Sequence, residues 1–181
     1  MLDTIANDDC ELPEASLATL ERVARRYGFV PNVYRALALS PATVKGFLAL
    51  HEALDRSGFS HPEQQLLFLT ISRENGCEYC VAAHSWGGEK VGLDAAAIDA
   101  LRDGRAPDEP RLAALHDVAV TMVKERGWVD TVTVDRFLAA GFSRARLLEV
   151  VLAVALKVIS NYANHLDEPG LDAQFAPHRW P

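Results

Sequence analysis

Apolar residues recur at helical spacing along most of the chain, and this pattern predicts the elements of the fold. The first amphipathic stretch predicts a helix from Glu14 to about Tyr27, which Gly28 ends. A later stretch, from Leu66 to Ile71, is apolar nearly all round, which is typical of a helix at the centre of a fold. No stretch alternates between apolar and polar residues as a half-buried strand does. We therefore predict an all-α, multihelical fold.

Residue types that begin and end helices divide the chain further. Ser40 with Pro41 has the form of a cap followed by proline, and Ser60 with Glu63 has the spacing of a capping box. After the first helix, further helices are predicted over residues 32–39, 41–54, 61–73, 95–101, 112–123 and 131–140. Another is predicted to begin at residue 77 and end between residues 87 and 92, and a last one to run from residue 143 past residue 159. Residues 1–13 lack periodicity, which predicts an extended N-terminal arm before a single domain over residues 14–181.

Composition and charge narrow the function classes. The length of 181 residues suits one domain that folds without a metal or a disulfide. A formal net charge of −7 with no basic run argues against nucleic acid as a partner. The N-terminus lacks the basic and apolar segments of a secretory signal, and no uninterrupted apolar run approaches the roughly 18 residues that span a membrane. We therefore expect a cytoplasmic, reducing setting and no membrane partner.

Two thiols and an imidazole are predicted to share one face of a helix. Asn75-Gly76 is a stop signal, so a new helix is expected to begin at about Cys77, with Cys80 and His84 three and seven positions further on. The N-terminal end of a helix favours a thiolate over a thiol, and His84 can accept a proton or pair with the anion. Cys77 can then close a disulfide with an oxidised Cys80. This pattern predicts a redox-active pair.

Two other interpretations of the thiols stay open at this point. Cys77, Cys80 and His84 supply three ligands for a metal module, but nothing nearby in the sequence supplies an obvious fourth. The thiols also suit a non-catalytic helical oligomeric module in which they are small buried apolar residues. The third cysteine, Cys10, lies in a polar tail and is expected to be incidental.

Two parts of the domain resemble each other. A shift of 83 residues aligns Gly58-Phe59-Ser60 with residues 141–143, and it aligns the CxxC segment with residues 160–163, which lack cysteine. We interpret these parts as two related helical hairpins, a redox half over about residues 40–104 and a degenerate second half over about residues 108–168. One redox site per chain is the expected consequence.

The segment from Gly76 to His84 resembles the Gly-Cys-x-x-Cys-x-x-x-His motif of the alkylhydroperoxidase D (AhpD) and carboxymuconolactone decarboxylase superfamily. The resemblance implies an AhpD-like helical bundle that assembles as trimers or hexamers. It also implies a thiol-dependent hydroperoxidase or thiol–disulfide oxidoreductase that needs no haem, flavin or metal. By this resemblance Cys80 attacks the peroxide, the more exposed Cys77 resolves it and exchanges with an external dithiol, and His84 is the base. A decarboxylase-type lyase is the alternative, although that branch does not depend on a CxxC.

The proton relay behind His84 departs from the family pattern. The family places a glutamate twelve residues before the first cysteine, whereas this chain has Gln65, which cannot accept and release a proton. Glu74, at the end of the preceding helix, is one expected substitute because its charge opposes the dipole of that helix. Glu149, buried by pattern in an apolar helix, is the other.

Overall fold

The computed structural model describes residues 11–181, and this part of the chain forms nine α-helices, one short 3₁₀ helix and no strand. The α-helices are α1 (Glu14–Tyr27), α2 (Asn32–Leu37), α3 (Pro41–Asp55), α4 (His61–Glu74), α5 (Glu78–Lys90), α6 (Ala95–Arg102), α7 (Pro110–Lys124), α8 (Thr131–Ala139) and α9 (Arg144–Asp167), and the 3₁₀ helix spans Ala176–His178. The all-α prediction is confirmed. Cys10 and most of the predicted N-terminal arm lie outside the described residues, and residues 11–13 lead into α1 without helical structure.

The predicted caps of α3 and α4 are present, and α6 also has a side-chain cap. The Ser60 hydroxyl accepts from the backbone of Glu63, and the Glu63 carboxylate accepts from the backbone of Ser60, so the capping box of α4 is complete. Ser40 caps α3 and Asp94 caps α6 through side-chain hydrogen bonds to backbone N–H groups. These caps satisfy N–H groups that have no partner within the helix.

Helix α4 lies at the centre of the fold. Every residue from Leu66 to Ser72 is buried, and α4 packs against α5, α6, α7 and α9. Its apolar side chains belong to a core that continues into α1, α2 and α3. Because close-packed helices move little against one another, α4 holds α5 and α9 in a fixed relation.

The turn between α4 and α5 is built around a glycine. Asn75 ends α4, Gly76 adopts a φ of +68°, and Cys77 is the N-cap residue of α5. This left-handed conformation favours glycine because a Cβ atom would be strained there. The predicted helix start at about Cys77 is confirmed.

The second half differs from the first at the corresponding place. Helices α4 and α9 both begin directly after the aligned Ser60 and Ser143, as the repeat implies. Helix α9 then runs unbroken to Asp167, because Ile159 stands where Gly76 ends α4 in the aligned segment. The second aligned segment is therefore one continuous helix where the first is two helices joined by a turn, and the internal repeat stays a prediction.

Helix α9 is long and apolar enough, by length and composition alone, to cross a membrane. Its inner face packs against α2, α3, α4, α5 and α7, and it buries polar residues such as Lys157 and Asn161. Four large apolar residues are exposed on the outer face: Leu148, Val151, Tyr162 and Leu166. A helix with buried partners on one side behaves as a core helix, and its outer face is available to another surface.

Candidate functional site

Both thiols of the CxxC motif are reduced and buried. Cys77 precedes α5 and Cys80 lies in its first turn, with exposed fractions of 1% and 2%. The expectation that Cys77 is the more exposed thiol is therefore wrong. Helix α9 accounts for the burial of Cys77, because its Asn164 side chain contacts both sulfur atoms.

Helix α9 supplies the hydrogen bonds to the sulfur atoms. Asn164 Nδ2 lies 3.3 Å from Cys80 Sγ and 3.6 Å from Cys77 Sγ, so one amide donates to both. The Ser160 hydroxyl lies 3.9 Å from Cys80 Sγ. Donors that converge on a sulfur atom favour its anionic form.

A buried lysine connects this cluster to His84. Lys157 Nζ lies 2.7 Å from His84 Nε2, and Gln65 Oε1 lies 3.0 Å from His84 Nδ1. Because the ammonium group can only donate, His84 Nε2 must be the acceptor, and the proton of the neutral ring sits on Nδ1, where the Gln65 oxygen accepts it. The hydrogen bonds therefore run in one direction: Lys157 donates to His84, and His84 donates to Gln65.

Burial and the charge of Lys157 both act on the ionisation of its neighbours. Burial, together with Lys157, lowers the pKa of His84 well below its usual value, so the ring is neutral. Burial opposes ionisation of Cys80, but a hydrogen bond from Cys77, the charge of Lys157 and a hydrogen bond from Ser160 outweigh it and lower the pKa of Cys80 to about 5.

The partner thiol behaves in the opposite way. The hydrogen bond to Cys80, together with burial, raises the pKa of the Cys77 thiol far above its usual value. These opposite shifts favour a thiolate at Cys80 and a protonated thiol at Cys77. This is the arrangement that a nucleophile and a resolving group need.

Of the three relay candidates, the structure brings only Gln65 to His84. The Glu74 side chain is buried, and its carboxylate pairs with Arg73 and Lys124, each at 3.1 Å. The Glu149 side chain is 25% exposed and pairs with Arg146, so its predicted burial is wrong. Both carboxylates are thus engaged in ion pairs on other faces of α4 and α9, and Lys157 occupies the place beside His84.

The same geometry bears on the metal interpretation. Within residues 11–181 no group of three His, Cys, Asp or Glu side chains is arranged to hold a metal ion. Both nitrogens of His84 are engaged, one by Lys157 and one by Gln65. A cation such as the Lys157 ammonium at Nε2 also repels a metal ion, so the residues present do not fit a Cys77, Cys80 and His84 site.

Two cavities reach the thiols. One, of about 90 Å³, is largely apolar and is lined by Cys80, His84 and Lys157 together with aromatic rings. The other is a wider, polar groove of about 600 Å³, lined by Cys77 and by residues of the C-terminal segment that include Arg179 and Trp180. Cys80 and Cys77 therefore face different openings.

Tyr79, between the two cysteines, ties α5 to the C-terminal segment. Its hydroxyl donates to Asp172 Oδ2 at 2.5 Å and accepts from the backbone N–H of Val33 at 3.3 Å. Both bonds involve buried groups, so Tyr79 fixes the position of the first turn of α5.

Two residues of the site were missed by sequence reasoning, Lys157 and Asn164. A signal was available, because Lys157, Asn161 and Asn164 recur at i, i+4 and i+7 within an otherwise apolar helix. Polar side chains on one face of such a helix need buried partners. The sequence does not identify the partner, since Lys157 meets His84 only in the folded chain.

Residues 41–116, a little under half of the chain, match the Carboxymuconolactone decarboxylase family. No curated protein sequence matches the chain. These 76 residues cover α3 to the first half of α7 and include Gln65, both thiols and His84.

Solved structures share the whole fold. The AhpD core of an uncharacterized peroxidase-related protein from Ralstonia eutropha JMP134 is 25% identical with a TM-score of 0.81, covering 91% of this chain and 88% of that chain. An uncharacterized peroxidase-related protein from Silicibacter sp. TM1040 is 21% identical with a TM-score of 0.79, covering 96% and 92%. A variant of the debrominase Bmp8 in complex with 2,3,4-tribromopyrrole is 15% identical with a TM-score of 0.78, covering 97% of each chain.

Proposed function

The chain belongs to the AhpD-like superfamily, and we propose that it is a thiol-dependent hydroperoxidase that is reduced again by an external dithiol. The observation that carries this proposal is the surroundings of the Cys80 sulfur, where Asn164 Nδ2 donates at 3.3 Å and the charge of Lys157 lies nearby. Cys80 is held as a thiolate by Lys157 and by donors from α9, while Cys77 keeps its proton. An electrophilic oxygen in the cavity beside Cys80 meets a nucleophile that is already charged.

In the first step, the Cys80 thiolate attacks the terminal oxygen of a hydroperoxide. A sulfur–oxygen bond forms, the oxygen–oxygen bond breaks, and the leaving alkoxide takes a proton from the Lys157 ammonium. Lys157 lines the same cavity as Cys80, and its hydrogen bond to His84 Nε2 keeps it there. The products are a Cys80 sulfenic acid, an alcohol and a neutral Lys157 amine.

In the second step, Cys77 resolves the sulfenic acid. The Cys77 sulfur attacks Cys80 sulfur, water leaves, and the pair becomes a disulfide. An external dithiol then reduces the disulfide, which returns the Cys77 thiol and the Cys80 thiolate, and the remaining proton restores the Lys157 ammonium. No haem, flavin or metal takes part in this cycle, and the dithiol implies a reducing compartment such as the cytoplasm.

The polar groove beside Cys77 is the proposed approach for the dithiol. Cys77 lines this groove of about 600 Å³, whereas Cys80 lines the smaller apolar cavity. An incoming thiolate therefore attacks Cys77, and Cys80 leaves as the thiolate that its surroundings stabilise, which is the faster direction of exchange.

We also propose a homo-oligomer whose interface includes the outer face of α9. Leu148 and Leu166 are each 73% exposed on this face. Four large apolar residues on one exposed helix face are typical of a surface that associates. A second copy of the chain is the partner that the family resemblance implies.

The debrominase likeness gives a second candidate function. In this reaction the Cys80 thiolate of the present chain attacks the bromine of an organic bromide, and the carbon takes a proton. Cys77 then displaces bromide from the Cys80 sulfur as the disulfide forms. The apolar, aromatic lining of the Cys80 cavity favours such a ligand. Bromide release from 2,3,4-tribromopyrrole, without consumption of peroxide, would show that the chain is a debrominase and not a hydroperoxidase.

The lyase alternative uses neither thiol, so activity on a muconolactone that survives loss of both cysteines would establish it.

The test of the proposed function is peroxide consumption by the reduced protein with dithiothreitol as the reductant. We expect turnover of tert-butyl hydroperoxide by the unaltered chain and by the Cys10→Ser control. Cys80→Ser is expected to abolish consumption. Cys77→Ser, first reduced and then freed of dithiothreitol, is expected to consume about one equivalent of peroxide and then stop. Turnover by Cys80→Ser would contradict the proposal.

A further inference from the structure

The side-chain amide of Asn164 contacts both sulfur atoms of the site. Its Nδ2 lies 3.3 Å from Cys80 Sγ and 3.6 Å from Cys77 Sγ. A primary amide nitrogen carries two hydrogens, so it can donate to each sulfur at the same time. The proposed function uses the bond to Cys80, and it gives the bond to Cys77 no role.

The oxygen of the same amide is left unpaired. Asn164 is 4% exposed, and its Oδ1 is buried without a hydrogen-bond partner among residues 11–181. The opposite orientation of the amide would place this oxygen against the sulfur atoms, where it would repel a thiolate. A buried acceptor without a donor is unfavourable, and a redox or catalytic role is one reason for a protein to keep such a group. The sulfur atoms therefore fix the orientation of the Asn164 side chain.

Asn164 lies on the side of the sulfur pair that faces Cys77. It lines the wider, polar groove together with Cys77, whereas Cys80 lines the smaller apolar cavity. In the proposed function the hydroperoxide reaches Cys80 from the smaller cavity, so the transferred oxygen arrives on the side away from Asn164. The amide can therefore keep its contacts with the sulfur atoms after the first step.

Oxidation of Cys80 changes the surroundings of Cys77. In the reduced pair, the hydrogen bond to Cys80, burial and the charge of Cys80 raise the pKa of Cys77, and the charge of Lys157 lowers it. A sulfenic acid at Cys80 carries no charge, and Lys157 is neutral once it has given its proton to the alkoxide. Burial still opposes a thiolate at Cys77, so this sulfur needs a hydrogen-bond donor when it attacks. Asn164 Nδ2 is already in place as that donor.

We propose that Asn164 is a catalytic residue of the resolving step, in which its amide stabilises the negative charge that forms on the Cys77 sulfur. This inference rests on the proposed function. The Cys77 thiol loses its proton and its sulfur attacks the Cys80 sulfur, so a sulfur–sulfur bond forms and the sulfur–oxygen bond of the sulfenic acid breaks. The oxygen leaves as water, which carries the proton from Cys77.

The test measures the two steps separately in Asn164→Leu, which replaces the amide by an apolar group of similar size. Reduced protein, freed of reductant, is mixed with tert-butyl hydroperoxide at about pH 8, where Cys80 stays a thiolate even if the loss of one donor raises its pKa from about 5. Loss of peroxide gives the rate of the first step. Capture of the Cys80 sulfenic acid by a sulfenic-acid reagent at increasing times gives the rate of the second.

Two further variants complete the comparison. Asn164→Ala removes the amide without adding an apolar side chain, so it repeats the measurement if Asn164→Leu does not fold, and circular dichroism checks the helix content of each protein. Gln174→Leu is the matched control, because Gln174 is an exposed amide that lines neither the groove nor the smaller cavity. It is expected to leave both rates unchanged.

We expect Asn164→Leu and Asn164→Ala to slow disulfide formation about tenfold, the size of one hydrogen bond to a charged group, and to change the first step less than about twofold. The longer-lived sulfenic acid is then oxidised by excess peroxide to a sulfinic acid, which mass spectrometry detects. Equal slowing of both steps would overturn the assignment, and so would disulfide formation at the unaltered rate. Absence of peroxide loss in the unaltered chain would instead contradict the proposed function itself.

Discussion

Lys157 Nζ lies 2.7 Å from His84 Nε2 at the centre of the candidate site. Lys157 is 3% exposed and makes no ion pair with a carboxylate among the residues described, although its charge lies close to Cys80. A buried cation needs a counter-charge, and the Cys80 thiolate supplies it. The lysine and the thiolate therefore stabilise each other in their charged forms.

Replacing Lys157 tests this pairing. Lys157→Met removes the charge and keeps a similar length, so the pKa of Cys80 is expected to rise from about 5 towards the ordinary value of about 8.5. Each unit of this rise lowers the thiolate fraction about tenfold once the pKa exceeds the pH. Thiolate absorbance during a pH titration measures the change. Lys124→Met, which removes a lysine paired with Glu74 instead, is the matched control and is expected to leave the Cys80 titration unchanged.

The pH dependence of oxidation follows from the same shift. With the pKa of Cys80 at about 5, the thiolate predominates above pH 5 and is protonated below it. The rate of the first oxidation step is therefore expected to be flat above about pH 6 and to fall as the pH drops through 5. Ser160→Ala removes a hydroxyl group that lowers the pKa of Cys80, so the midpoint is expected to move to higher pH. A midpoint near 8.5 in the unaltered chain would contradict the activated thiolate.

Gly87 gives a way to disturb Gln65 without replacing it. A Cβ atom at Gly87 would lie 2.7 Å from Gln65 Oε1, the acceptor for His84 Nδ1–H, so Gly87→Ala must displace that side chain. We expect the oxidation rate to fall about fivefold, the size of one lost hydrogen bond. Gly46→Ala is the control, because a Cβ at Gly46 meets nothing within 4 Å. It is expected to gain about 0.5–1 kcal/mol of stability as an alanine within a helix and to leave the rate unchanged.

The outer face of α9 makes the oligomer testable. Introducing charge with Leu148→Glu and Leu166→Glu is expected to convert an oligomer into monomers, as measured by light scattering after size-exclusion chromatography. Leu17→Glu, at an exposed leucine of α1, is expected to leave the assembly intact. An unaltered chain that is monomeric at micromolar concentration would show that this face has another role.

The sequence predicts the helices well because their signals are local. The capping box of Ser60 and Glu63 and the stop signal at Gly76 depend on neighbouring residues, and both helix ends fall where these signals lie. The placement of Cys77 and Cys80 at the start of α5 follows directly. His84 and Gln65 are therefore in contact, and both line one cavity with Cys80.

The remaining parts of the site depend on contacts between distant segments. Lys157 and Asn164 reach the thiols only because α9 packs across α4 and α5, and no local signal gives that register. The burial of Cys77 has the same origin. Glu74 has a helix-end position that suits a relay acid, but the distant Lys124 of α7 engages its carboxylate.

The central claim is that Cys80 is the attacking thiol and Cys77 the resolving thiol, and trapping the oxidised sulfur tests it most directly. Cys77→Ser and Cys80→Ser proteins are each treated with one equivalent of peroxide and a sulfenic-acid reagent, and the labelled residue is identified by mass spectrometry. We predict rapid labelling of Cys80 in Cys77→Ser, because Lys157 and Ser160 still lower the pKa of Cys80 there. We predict little labelling of Cys77 in Cys80→Ser, because burial still raises the pKa of Cys77. Rapid labelling of Cys77 in Cys80→Ser, with little labelling of Cys80 in Cys77→Ser, would contradict the account.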